Sequence, residues 1–115
     1  MLNIREENGI TSIDFETEYD ALDEASMDRT RATLLDAAQH RAPRVLCDFS
    51  RTRYFGSAFI EILARAWQRV RARGGNMVLC GLQPFCKKVL LVANLDEVWD
   101  IYDSREEAIA ALKQD

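Results

Sequence analysis

Apolar and polar positions along the chain alternate between short strand-like runs and longer helical stripes. Gly9-Ile-Thr-Ser-Ile-Asp-Phe15 spaces Ile10, Ile13 and Phe15 in an imperfect alternation, which predicts a first strand at a sheet edge. An acidic stretch over 16–24 follows without a clear period. From Ala25 to His40, Met27, Leu34, Leu35 and Ala38 recur at helical spacing, and Pro43 stops that helix. Arg44-Val-Leu-Cys-Asp-Phe49 is a short apolar run that closes on a carboxylate, the pattern of a central strand. Ser50 to Gly56 reads as a basic and aromatic loop. Phe59, Ile62, Leu63, Ala66 and Val70 then form the apolar face of the strongest helix, with Ser57 as its expected N-cap and Gly74-Gly75 as its stop.

Asn76 to Cys80 predicts another strand, Gly81 to Pro84 a turn, and Phe85 to Val92 a short helix. Val98 to Tyr102 alternates and predicts a last strand. Ser104-x-x-Glu107 is a capping-box pattern at the head of a terminal helix carrying Ala108, Ile109, Ala111 and Leu112. Beyond Pro43 the order is strand, helix, strand, helix, strand, helix. Strands joined by crossover helices lie parallel, so a mostly parallel sheet with packed helices is expected. The carboxyl ends of those strands form one rim, where open α/β sheets place their sites. Asp48, Ser50, Ser57 and the Gly81-Leu82-Gln83 turn fall on it.

Length and composition narrow this picture. The 115 residues suit one domain, 1–115, and 48% hydrophobic with 30% charged residues excludes disorder and low complexity. No apolar run reaches the ~20 residues of a membrane span, and Met1-Leu-Asn-Ile-Arg-Glu-Glu does not read as a signal peptide. A cytoplasmic location and no membrane partner are expected. The net charge is −4, but it is unevenly spread: residues 1–28 are acidic, 29–93 basic and 94–115 acidic again. That distribution argues against a uniformly basic nucleic-acid binder, and no nucleic-acid partner is expected.

Candidate chemistry is sparse. Cys47, Cys80 and Cys86 show no metal-ligand spacing and read as buried free thiols. His40, the single histidine, stands beside Arg41 in the last turn of a helix, where a cation suits the dipole. No catalytic residue, metal site or cofactor is expected. The informative segment is Asp48 to Ile60. Gly56-Ser57 joins a strand-end loop to a helix N-terminus, whose amides suit an anion. Plain capping explains the same residues equally well.

The chain reads Asp48-Phe-Ser50, Tyr54-Phe-Gly-Ser57, Arg73-Gly-Gly75, Met77-Val-Leu-Cys-Gly-Leu82, Leu95-Asp-Glu-Val-Trp99 and Ile101-Tyr-Asp-Ser104 to Ala108. In order and spacing this resembles the STAS domain, the module of anti-sigma factor antagonists and of the cytoplasmic tails of sulphate transporters. The resemblance runs from about residue 44 to 110 and fits the N-terminal third only loosely. It implies a small single α/β domain with a mixed sheet of four to five strands and about four helices. It also implies a non-enzymatic regulatory protein-interaction domain, an anti-sigma factor antagonist. Its partner is an anti-sigma factor or a serine kinase of the anti-sigma type, and is released when a hydroxyl at the start of the long helix is phosphorylated. Phosphate adds about −1.5 to −2 charge at such an interface.

The departures fall on the switch itself. The usual acceptor position is Ala58, the following glycine is Phe59, and the preceding Asp is Gly56. Two readings stay open: a lost switch, which is preferred, or Ser57 as the replacement acceptor. Asp48, Ser50, Arg51, Arg53, Tyr54, Phe55, Gly56, Ser57, Arg65 and Trp67 are the candidate partner-binding residues. Tyr54, Phe55, Arg65 and Trp67 are of the types that anchor interfaces. Phe55 and Trp67 also suit a core, and Phe59 reads as core. A monomer or weak homodimer is expected. The alternatives are a receiver-like phosphoacceptor built on Asp48, or a nucleotide- or anion-binding module using the arginine-rich loop and helix. Phe15-Glu-Thr-Glu18 lacks the adjacent acid pair of the first, and the acidic flanks count against the second.

Overall fold

The computed structural model describes residues 2–15, 18–19 and 24–113. The described elements, in order, are strands β1 (Asn3–Glu7), β2 (Ile10–Asp14) and β3 (Glu18–Tyr19), then helix α1 (Glu24–His40). Strands β4 (Arg44–Asp48) and β5 (Tyr54–Phe55), helix α2 (Ser57–Ala72) and strand β6 (Asn76–Cys80) follow. Helix α3 (Pro84–Val92), a 3-10 turn (Leu95–Glu97), strand β7 (Asp100–Tyr102) and helix α4 (Arg105–Lys113) close the chain. The main sheet has five strands in the order β1-β2-β4-β6-β7, and β3 pairs with β5 in a separate two-stranded ribbon. Only the β1–β2 pair is antiparallel in the main sheet; β2–β4, β4–β6 and β6–β7 are parallel.

The strand expected at the edge is therefore interior. β1 covers it, joined through Asn8 and Gly9, both at positive φ (53° and 79°). That pair of left-handed residues is the two-residue hairpin turn that suits the natural twist of a ribbon. The last strand is shorter than expected. The amides of Val98 and Trp99 both donate to the Leu95 carbonyl at 3.0 Å, so a turn takes up the residues before Asp100. Residues 16, 17 and 20–23, which include part of the unperiodic acidic stretch and of the Phe15-Glu-Thr-Glu18 pattern, lie outside the described residues.

Side-chain alternation explains the continuous apolar runs of β4 and β6. Val45, Cys47, Met77 and Leu79 face the main core with residues of α1, α2 and α3. Leu46, Val78 and Cys80 face the opposite way, onto Ala108 and Leu112 of α4. Both faces of these parallel strands are covered, so polar positions disappear from them. α2 contributes Phe59, Ile62, Leu63, Ala66 and Val70 to the larger core, the stripe its sequence predicts. It ends in a paired turn: Gly74 (φ 79°) donates to the Arg71 carbonyl at 2.9 Å and Gly75 to the Val70 carbonyl at 3.0 Å.

Arginines at the far end of α2 fasten it to α1. Arg69 donates to the Gln39 side-chain oxygen at 2.9 Å, and Arg73 donates to the Ala38 carbonyl at 2.8 Å. No helix among the described residues is long and apolar enough to cross a membrane.

Candidate functional site

The four phenylalanines Phe15, Phe49, Phe55 and Phe59 form a base beneath the loop 50–56. Phe15 stacks on Phe49 at 4.4 Å between ring centroids, and Phe55 stacks on Phe59 at 5.5 Å. Edge contacts of 5.6 Å join Phe49 to Phe55 and Phe15 to Phe59. Each ring is buried. Phe55 is thus a core residue, and its expected place among the exposed contact residues does not hold. The reason is the two-residue strand β5. Successive side chains of a strand point to opposite sides, so Phe55 turns in and Tyr54 turns out. Tyr54 is 38% exposed and lies against Phe85 of α3 at 5.4 Å.

The start of α2 also differs from expectation in detail. Gly56, with extended backbone (φ −102°, ψ −179°), is the N-cap, and Ser57 is the first helical residue. The first helical bond runs from the Ile60 amide to the Gly56 carbonyl at 3.1 Å. No side chain caps this helix end, and its first turn holds no acid. The Ser57 side chain is exposed, whereas Ala58 is half-buried against the core. Tyr54, Ser57 and Ile60 line a groove of about 550 Å³ with Phe85, Lys88 and Val92 of α3.

A second cluster sits at the carboxyl ends of β2 and β4. Asp14 and Asp48 are register neighbours across these parallel strands. Arg105, in the first turn of α4, reaches Asp14 at 3.3 Å and Asp48 at 3.2 Å, and also donates to the Ser12 hydroxyl. The remaining Asp48 oxygen accepts the Ser50 amide at 2.9 Å. Both oxygens of Asp48 are engaged, so it is built into the scaffold as a strap between sheet, loop and helix. The Gln83 amide donates to the Ser50 carbonyl at 2.9 Å, holding the loop against the turn after β6. Arg51 lines a small pocket of about 210 Å³ over this cluster, and Arg53 is exposed.

The structure therefore brings Asp48, Ser50, Arg51 and Gln83 together, and separately brings Tyr54, Gly56 and Ser57 together against α3. Arg65 and Trp67 stand apart. Arg65 is eight residues beyond Ser57, or ~12 Å along the axis, and pairs with Glu61 at 3.2 Å. Trp67 is half-buried, with the Arg71 guanidinium 6.0 Å from its ring centre. Sequence reasoning missed Arg105 and the α3 residues Phe85 and Lys88. The capping-box pattern marked the helix that carries Arg105, and there the Ser104 hydroxyl accepts the Glu107 amide at 3.2 Å and donates to its carboxylate at 3.1 Å.

The cysteines are buried and free. Burial, reinforced by neighbouring Cys80 and Asp48, pushes the Cys47 thiol far above the ordinary range. Burial and the Asp48 charge push Cys80 up to about 12. Burial also raises Cys86, whose thiol donates to the Thr52 carbonyl at 3.8 Å. The thiolate is the reactive species, so these groups stay inert at neutral pH. Among the described residues no group of His, Cys, Asp and Glu is arranged to hold a metal ion.

A fold of five mixed strands with helices on both faces, and a helix start presented at the strand-end rim, matches one family. The STAS domain model aligns with residues 2–108, and the chain belongs to that family. The match begins at residue 2, so it takes in the N-terminal third, where the resemblance in the sequence is loose. The chain is 28% identical over 89 residues to BtrV of Bordetella bronchiseptica, a candidate anti-sigma factor antagonist, covering 77% of each sequence. It is 34% identical to an anti-sigma-factor antagonist (STAS) domain protein of Planctomyces limnophilus, with a TM-score of 0.82 and 96% of each chain covered. It shares the fold of the phosphorylated form of SpoIIAA, a Bacillus cell fate determinant, at 20% identity and a TM-score of 0.73, over 96% of this chain and 98% of that one.

Proposed function

We propose that this chain is a non-catalytic regulatory docking protein, an anti-sigma factor antagonist whose phosphorylation switch at the start of α2 is lost. Its partner is an anti-sigma factor, or a serine kinase of the anti-sigma type. The observation that carries the reading is the start of α2. Gly56, Ser57 and Ala58 stand at an accessible helix end, on a buried phenylalanine base, beside an apolar groove. Such a surface suits recognition by another protein. The position that accepts phosphate in the family carries only a methyl group here, so ATP-dependent release at residue 58 has no chemical handle.

The arginines favour this reading over nucleic-acid binding. Arg65, Arg69 and Arg73 are engaged with Glu61, Gln39 and the Ala38 carbonyl. They serve the helix surface and the α1–α2 contact.

The test is capture from the native cell with the wild-type chain and with Ser57→Asp. Equal recovery of an anti-sigma factor by both supports binding without a switch. Recovery by the wild type alone moves the switch to Ser57. Recovery of no anti-sigma factor by either contradicts the reading.

A further inference from the structure

Among the described residues, several of the large apolar side chains left exposed gather in one place. Tyr54 is 38% exposed, Phe85 50% and Val92 75%. Phe85, Val89 and Val92 follow helical spacing along α3, and with Tyr54 and Ile60 they line the groove of about 550 Å³. α3 has nine residues, or ~13 Å of axis, the length of two to three helical turns. A contiguous exposed apolar groove on a small domain marks an interaction site.

The charge around the groove is one-sided. Lys88 is the single charged residue lining it among the described residues. Its neighbour Lys87 turns away, to Asp103 at 3.8 Å. At the other wall α2 begins with no acid in its first turn and no capping side chain, so its amides present partial positive charge. An apolar floor with positive edges complements an apolar surface fringed by carboxylates.

Resting on the antagonist reading, we propose that this groove receives one amphipathic acidic helix of the partner. Its apolar side chains lie on Phe85, Val92 and Tyr54, and a carboxylate reaches Lys88 and the start of α2. This is the helix-in-groove mode of recognition, in which an apolar stripe supplies affinity and flanking charge supplies selectivity.

The test uses the full chain and two synthetic helical peptides with leucines at i, i+4 and i+7. One is flanked by glutamates, the other by lysines. In an amide NMR titration the glutamate peptide shifts Ser57, Ile60, Lys88 and Val92 first. It binds about fivefold more tightly than the lysine peptide, the scale of one exposed ion pair. Lys88→Glu reverses that preference. Val92→Asp, at a position open enough to leave the fold intact, weakens the glutamate peptide by about tenfold or more. Equal binding of both peptides, absence of saturation, or shifts confined to the α4 side overturns the proposal. Capture of an anti-sigma factor by Val92→Asp at wild-type strength also overturns it, while leaving the antagonist reading standing. Failure of the wild-type chain to capture any anti-sigma factor removes that reading instead, and the peptide titration then decides the groove.

Discussion

Arg105 lies 3.2 Å from Asp48, joining the first turn of the last helix to the end of a central strand 57 residues earlier. The same guanidinium reaches Asp14 at 3.3 Å. Two carboxylates in register on adjacent strands repel each other, and the arginine resolves that repulsion with charge-assisted bonds. A cation in a first turn opposes the helix dipole, so the bonds to the sheet outweigh a local cost.

Arg105→Ala leaves both carboxylates without that partner. The cluster is partly exposed, which places the loss between that of a surface pair and that of a buried one, about 2 kcal/mol. Urea unfolding measures it. Asp48→Asn on top of Arg105→Ala recovers part of the loss, because it removes the repulsion between the two carboxylates that the arginine no longer offsets.

Tyr54 and Phe59 separate recognition from stability. Phe59→Ala empties a fully buried ring site and costs about 3–5 kcal/mol, a large share of the stability of a domain this size. Tyr54→Ala shifts the unfolding midpoint only slightly and weakens partner binding. Thermal unfolding with a binding titration on both variants distinguishes the two roles.

Ala58→Ser restores a hydroxyl at the family's acceptor position. The variant gains one phosphate from an anti-sigma kinase and ATP, seen as a mass increase of the intact protein. The wild-type chain gains none under the same conditions. Phosphate transferred to wild-type Ser57 would show that the switch has moved by one residue.

The thiols give a pH signature. Cys47 and Cys80 are raised above their ordinary value of 9.0. Above pH 9 the unfolded chain releases these protons while the folded chain keeps them. Stability is therefore full below pH 9 and falls as pH rises, by up to about 1.4 kcal/mol per unit for each thiol. Denaturant midpoints between pH 8 and 10 test this, and Cys47→Ala makes the decline shallower. In the native state at neutral pH the three thiols resist alkylation, and in denaturant they react.

Local chemistry was legible in the sequence, and long-range contact was not. The α2 stripe and its Gly74-Gly75 stop follow from spacing and turn geometry, and the structure reproduces them. The resemblance carried the mixed sheet. β1 was missed although Asn8-Gly9 is a strong hairpin signal, because Asn3–Glu7 is an exposed edge strand and shows almost no apolar alternation. Phe55 was misplaced because a two-residue strand is too short to display its period. Ser57 was expected as N-cap because a hydroxyl at a helix start is the usual cap, but Gly56 takes that place without a side-chain bond. Arg105 carries no local mark of its partners, which are set by sheet register. The groove depends on how α3 packs beside β5, which no linear pattern encodes.

Hydrogen exchange of the chain alone and with its captured partner reads the docking surface directly. Lower exchange centred on 54–61 and 85–92, with α4 and β1 unchanged, is the result expected of a protein that works through the head of α2. Protection centred on α4 or on the β1 edge, with the head of α2 unchanged, would contradict the account.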